Sequence, residues 1–287
     1  MSAMEMERGL LAHSLPFVRL GGGQRTMVIF PGLADAAWDV NCPLWDFPSR
    51  FSRVTDQFTL YIVSRRRGLP SGYTTHDMAA DYARAFEQGM GPAVVLGISL
   101  GGFVAQHFAA DYPEYVERLV LGSAAHRLSD DGRRTPEYWL SLARENRWRE
   151  FYQDIARVAV SEYNQTFSKL LAPLVRMPVS NPSDFLVSLE ACLAHDSAAS
   201  LPCIQAPTLM IGGTKDMFFP PSLLRETAQR IPNVTLRFID GAGHSANVLR
   251  RAEFEDAVME FLQSPVTTVP ETTSTPAMVT GEEVAVS

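Results

Sequence analysis

The stretch VVLGISLGGFVAQHFAADYPE, residues 94–114, opens as an apolar run, breaks at Gly97, sets one hydroxyl at Ser99 and continues as a helix-like segment. A continuous apolar run of this length reads as a strand buried on both faces. Gly97-Ile98-Ser99-Leu100-Gly101 fits G-x-S-x-G at the strand-to-helix junction. That pattern forces the serine into a sharp, strained turn, so that its Oγ projects from the carboxyl edge of a sheet. Side chains at positions 97 and 101 would collide with the neighbouring strand and helix. Leu100 opens the helix, where its backbone N–H has no intrahelical partner and can face a developing oxyanion.

Outward from this junction, strand-like and helix-like segments alternate. Strands are predicted at FVRL (17–20), TMVIF (26–30), FTLYIVS (58–64), AVVLGI (93–98), ERLVLGSA (117–124), PTLMIGG (207–213) and VTLRFID (234–240). Helices are predicted over 75–88, 101–111, 222–231 and 246–262. Such alternation gives an α/β fold: a mostly parallel, doubly wound sheet with helices on both faces. From 125 to 203 no strand pattern appears. Helical periods run through PEYWLSLARENRWREFYQDIARVAV, YNQTFSKLLAPLV and NPSDFLVSLEACLAH, punctuated by prolines. The chain thus divides into a core over 14–124 and 204–263, a helical cap over 125–203 and a tail over 264–287. The tail is rich in Thr, Pro and Val without a helical period, and is expected to be disordered.

A serine hydroxyl needs a base. The chain has six histidines: His13, His76, His107, His126, His195 and His244. His244 lies in FIDGAGHSAN, after the last strand and before the last helix, so its loop opens at the same sheet edge as Ser99. His76 and His195 read as helix-end residues, His107 as packed in or beside the helix after Ser99, and His126 as a rim residue. The base needs an acid to fix its tautomer. Asp216, in the loop after LMIGGTKD, supplies it in the order Ser, Asp, His. Its competing role as a helix cap is better served by Pro221 or Ser222. The loop after TMVIF, Pro31 to Asp35, is expected to give the second oxyanion donor, the Leu33 N–H.

Composition narrows the partners. Apolar residues make up 46% and charged residues 20%, with a net charge of −7 and a pI near 5.4. No basic stripe suits a phosphate backbone, so nucleic acid is excluded as a partner. No run approaches the roughly 18 apolar residues of a membrane span, and the N-terminus has no signal-peptide h-region. Cys42, Cys192 and Cys203 form no disulfide framework or CxxC pair, which points to a reducing, cytoplasmic setting. GGGQ (21–24) is a turn, not a phosphate loop. No metal-ligand spacing occurs and no cofactor is implied. The expected partner is a small-molecule substrate, bound by a monomer or homodimer.

Of the aromatics, Trp38, Phe103, Trp148 and Phe218 are the candidates to line a substrate pocket, although packing accounts for most aromatics of this kind. Arg65-Arg66-Arg67 follows a strand at the active edge. A solvated turn or local ion pairs explain it better than a substrate carboxylate does.

Together FPGLADAAW, GISLGG, IGGTKDMFFP and GAGHSAN resemble the oxyanion loop, nucleophile elbow, acid loop and histidine loop of the α/β-hydrolase superfamily, over about 17–263. The resemblance implies a helical cap inserted after the sixth strand. It also implies cleavage of a carboxylic ester, thioester or lactone of a small or medium apolar substrate through an acyl-enzyme on Ser99. Alternatives are the same triad in C–C hydrolysis, lyase or perhydrolase chemistry, or a non-catalytic small-ligand binder. Epoxide hydrolases and haloalkane dehalogenases of this superfamily need an elbow aspartate, which Ser99 is not. Three departures stand out. Pro31 occupies the usual His position. One short strand precedes TMVIF where a hairpin is usual, so seven strands or a stunted edge are expected. SRRRGLPSG lacks the common D-x-x-G-x-G-x-S loop.

Overall fold

A computed structural model describes residues 6–37, 40, 54–55, 57–162 and 179–265. Strands Met6–Leu11 (β1) and Leu15–Leu20 (β2) form an antiparallel hairpin around a short turn, followed by Arg25–Phe30 (β3) and helix Ala34–Ala37 (α1). Next come Phe58–Val63 (β4), Thr75–Ala85 (α2), Ala93–Ile98 (β5), Leu100–Asp111 (α3) and Val116–Gly122 (β6). Helices Asp130–Arg144 (α4), Trp148–Glu162 (α5) and Pro182–Ala194 (α6) precede Thr208–Gly213 (β7), Pro221–Ala228 (α7), Val234–Ile239 (β8), Ala246–Leu249 (α8) and Arg251–Gln263 (α9).

The eight strands form one sheet in the order β1-β2-β4-β3-β5-β6-β7-β8, parallel from β4 onward. The fold class expected from the sequence is the one observed. The strand count is corrected: MERGLL pairs with β2 residue for residue, so the sheet opens with a hairpin and has eight strands. This edge strand exposes most of its residues, and its Glu7 and Arg8 hide the apolar signal by which buried strands are read.

Both faces of the sheet are covered. On one, α2, α3 and α7 bury Met78, Tyr82, Phe103, Phe108 and Leu224 against Val28, Val95 and Leu121. On the other, Phe254, Val258 and Leu262 of α9 pack on Val94, Val120 and Leu209. Helix α3 is buried along almost its whole length within the first of these clusters, and the chain forms a third. There Leu140, Leu142, Phe151, Phe185 and Leu189 of α4, α5 and α6 pack on Ala36 and Ala37 of α1. The helices between β6 and β7 therefore sit on the helix that follows the carboxyl end of β3. The Asp184 carboxylate, itself 1% exposed, fastens α6 to the loop after β4 by accepting the Gly68 and Leu69 N–H groups at 3.1 and 2.7 Å.

Local signals set the element ends. Thr74 and Asp77 form a reciprocal capping box on α2. Ser129 caps α4 and Asn181 caps α6, each side chain accepting from a first-turn N–H. The helix expected over 75–88 keeps α geometry only to Ala85 and then widens through Phe86–Met90, with Gly89 at φ 114°. The helix expected over 246–262 is two, separated at Arg250. Ser264, placed in the tail by the sequence reading, is held by Arg118, which donates to its carbonyl and side-chain oxygens. The rest of that tail from 266, the helical segment expected over 163–175, and Trp38 lie outside the described residues.

Candidate active site

β5 delivers Ser99 at its carboxyl end. Ser99 has φ 53° and ψ −121°, a backbone state that costs a non-glycine residue about 1–3 kcal/mol and is held here by its surroundings. Its N–H donates to Gly122 O at 2.9 Å, and its carbonyl accepts from Gly102 and Phe103, the first turn of α3. Two glycines make the turn possible. A Cβ on Gly101 would lie 1.9 Å from the Phe30 carbonyl oxygen, and one on Gly97 2.7 Å from Ala105 Cβ. The sequence expectation of a collision at both positions is met.

β7 and β8 deliver the partners. His244 Nδ1 is 3.0 Å from Asp216 Oδ2, and His244 Nε2 is 3.0 Å from Ser99 Oγ. Because a carboxylate only accepts, Nδ1 carries the proton and Nε2 is left to accept from the serine hydroxyl. Asp216 is fully buried at its side chain and His244 is 20% exposed. The other carboxylate oxygen, Asp216 Oδ1, accepts from the Phe218 and Phe219 N–H groups at 2.9 and 3.1 Å. The acid is thus fixed by its own loop instead of capping α7, whose N-cap is Pro220. The histidine loop is tied down on two sides: Ser123 Oγ donates to His244 O at 2.7 Å, and Lys215 N–H donates to Ala242 O at 2.8 Å.

Leu100 occupies the first position of α3, with its side chain fully buried and its N–H free of the helical ladder. Pro31-Gly32-Leu33 passes beside Ser99: a Cβ on Gly32 would sit 3.4 Å from Ser99 Cβ. Leu33 begins the turn into α1 and accepts from Ala36 N–H at 2.9 Å through its carbonyl. Both expected donors therefore belong to segments that meet at the serine.

The aromatic candidates separate. The Phe218 ring lies edge-on to His244 with centroids 4.8 Å apart, at the site. Phe103 is fully buried, with its ring flat on His195 at 3.9 Å and edge-on to Phe219. Trp148 packs edge-on to Phe151 and Phe185 within the helical cluster. Of the two readings of the arginine triplet, the ion pair holds for Arg65: it is 2% exposed and 3.5 Å from Asp35, which is 3% exposed. No spacing in the sequence signalled that pair.

Comparison with known proteins follows the same lines. The model of the alpha/beta hydrolase fold family matches residues 24–250. BpoC of Mycobacterium tuberculosis, whose name assigns it provisionally as a non-heme bromoperoxidase, is 30% identical over 210 residues, covering 67% of this chain and 77% of that protein. The poly(3-hydroxyalkanoate) depolymerase of Ectopseudomonas oleovorans is 32% identical over 178 residues, 60% of this chain and 62% of its own length. An esterase from Exiguobacterium antarcticum superposes with a TM-score of 0.73 at 18% identity, over 91% of this chain and 100% of that one. The enol-lactonase from Burkholderia xenovorans LB400 gives 0.70 at 22%, over 90% and 100%. At such identities the structural likeness speaks for the fold.

Proposed function

On the footing that this chain belongs to the alpha/beta hydrolase fold family, and is an enzyme of it, we propose that it cleaves a carboxylic ester, thioester or lactone of a small or medium apolar substrate through an acyl-enzyme on Ser99. The observation that carries this reading is the unbroken hydrogen-bond chain from Ser99 Oγ through His244 to Asp216, 3.0 Å at each link.

In this reading His244 Nε2 takes the hydroxyl proton as Oγ attacks the acyl carbon. Asp216 keeps the imidazole in the accepting tautomer and stabilises the imidazolium. The oxyanion receives the Leu33 and Leu100 N–H groups. His244 then protonates the leaving oxygen or sulfur. Water, activated by the same histidine, attacks the acyl-enzyme and frees the acid and Ser99. Phe218 shields the imidazole edge. The helices α4 to α6 act as a cap over the α/β core and shape the acyl site.

A second reading, the same triad in perhydrolase chemistry, is favoured by the bromoperoxidase name of BpoC. The experiment is to treat the protein and Ser99→Ala with a fluorophosphonate probe and with chromogenic esters of graded acyl length. Labelling and ester turnover that both vanish in Ser99→Ala support the first reading. Labelling without ester turnover, joined by peracid formation once hydrogen peroxide is supplied, supports the second. An unlabelled protein would remove the nucleophile altogether.

A further inference from the structure

The buried pair Arg65–Asp35 lies directly behind the loop that carries the Leu33 N–H. Arg65 follows β4. Its Nη1 donates to Pro31 O at 2.8 Å and its Nη2 donates to Gly32 O at 2.9 Å. Asp35 holds the arginine in place. It lies 3.5 Å from Nη2 and accepts the Arg65 backbone N–H at 3.1 Å through Oδ2, while its Oδ1 accepts from Ser64 Oγ. The Ser64 oxygen in turn accepts the Val40 N–H at 3.1 Å. A buried ion pair is a weak source of stability, because desolvation offsets the attraction. Its geometry here points to another use.

The Gly32 carbonyl and the Leu33 N–H belong to one peptide unit. In a planar trans peptide the C=O and N–H point in opposite directions. A guanidinium that fixes the Gly32 oxygen on one side of the peptide therefore fixes the Leu33 hydrogen on the other, in a segment close enough to the elbow that a Gly32 Cβ would lie 3.4 Å from Ser99 Cβ. The second bond, to Pro31 O, stops the preceding peptide from rotating, so the unit cannot flip as a crankshaft. A cation at the carbonyl end also polarises the peptide, which strengthens the N–H as a donor in a low-dielectric setting.

We infer that Arg65 is a positioning residue for the oxyanion hole, acting through the Gly32–Leu33 peptide, and that Asp35 is the anchor that sets its fork. This rests on the serine-hydrolase reading above. Lysine carries the charge but not the planar two-point fork, so Arg65→Lys is the discriminating variant. Asp35→Asn is the second, leaving the fork but loosening its anchor.

Turnover is measured per serine titrated with the fluorophosphonate, which counts only folded sites, alongside inhibition by a trifluoromethyl ketone and by the matching secondary alcohol. The ketone forms a tetrahedral oxyanion on Ser99, whereas the alcohol cannot. Removing one oxyanion donor outright costs about 100- to 1,000-fold in kcat, so misorienting it is expected to cost roughly 10- to 100-fold. In Arg65→Lys, kcat should fall by that factor with KM within about threefold, and ketone affinity should fall in step while alcohol affinity holds. Asp35→Asn should follow the same line with a smaller loss.

A lower melting temperature with unchanged turnover per titrated site would make the pair a structural pin and overturn the inference. So would a loss in KM alone. A wild type that neither labels nor hydrolyses esters overturns the serine-hydrolase reading itself. Failure of the variants alone leaves that reading standing.

Discussion

The ring of Phe103 lies flat on the ring of His195, centroids 3.9 Å apart and planes 13° from parallel, so the helix that follows Ser99 leans on the end of α6. His195 is 5% exposed, with Nδ1 bonded to Thr75 Oγ1 at 2.8 Å and a buried Nε2 that has no partner among the described residues. His107 meets it edge-on at 5.2 Å. Burial first, then the charges of His107 and His126, hold the His195 pKa well below the ordinary imidazole value. Burial likewise lowers His107 and His126.

The sign is fixed by linkage. Below about pH 6.5 the unfolded chain takes up protons at these histidines that the folded chain refuses. Stability is therefore full above that pH and is lost as the pH falls beneath it. Melting temperature should stay level from pH 8 to 7 and drop toward pH 5. In His195→Gln the drop should be shallower. Equal slopes for wild type and variant in a pH series of thermal melts would dismiss His195 from the effect.

Ser99→Ala and Ser99→Gly should both lose turnover by several orders of magnitude, as triads do when the nucleophile goes. They should differ in stability. Alanine keeps the strained φ of 53°, whereas glycine relieves it. Ser99→Gly is expected to be more stable than Ser99→Ala by about 1 kcal/mol, read from urea midpoints. A glycine variant less stable than the alanine one would show that the turn is not under strain.

Asp216→Asn tests the acid. An amide that keeps an oxygen toward Phe218 N–H and Phe219 N–H must turn its NH2 toward His244, forcing Nδ1 to become the acceptor and leaving Nε2 protonated. The kcat should fall by about 10,000-fold while KM moves little. A loss of tenfold or less would mean that another group orients the imidazole.

Trp148→Ala should cost about 3 kcal/mol, from its place between Phe151 and Phe185, and leave acyl-chain preference intact. The paired measurement is a melt and a chain-length series. A changed preference with an unchanged melt would put Trp148 in the acyl site.

The hydrogen-bonded group Ser99, His244 and Asp216 was legible because each member sits in a loop after a predicted strand, where the pattern itself marks the carboxyl edge. Ser99 stands between glycines that steric contact demands, and Asp216 and His244 follow in the order that edge imposes. What stayed hidden involves groups whose meaning depends on distant partners. For Arg65 the sequence leaves a solvated turn and a local ion pair open, and nothing names its acid until Asp35, thirty residues earlier in the chain, is folded beside it. Likewise nothing local to Phe103 shows that its ring lies flat on His195. β1 carries an edge strand's mixed composition, which lacks the apolar period that identified the others.

Ser99 and His244, nucleophile and base in the proposed mechanism, are 145 residues apart in the chain, and the strand pairings that unite them form only after β7 and β8 exist. At translation rates of about 5–20 residues per second, the serine leads the histidine by roughly 7–30 s. Through that interval a nascent chain carries the elbow but no proton acceptor, so it is chemically silent. In the proposed mechanism, reactivity arrives with the final fifth of the polypeptide. Ribosome-bound chains arrested before His244 should accordingly resist the fluorophosphonate that labels the released protein.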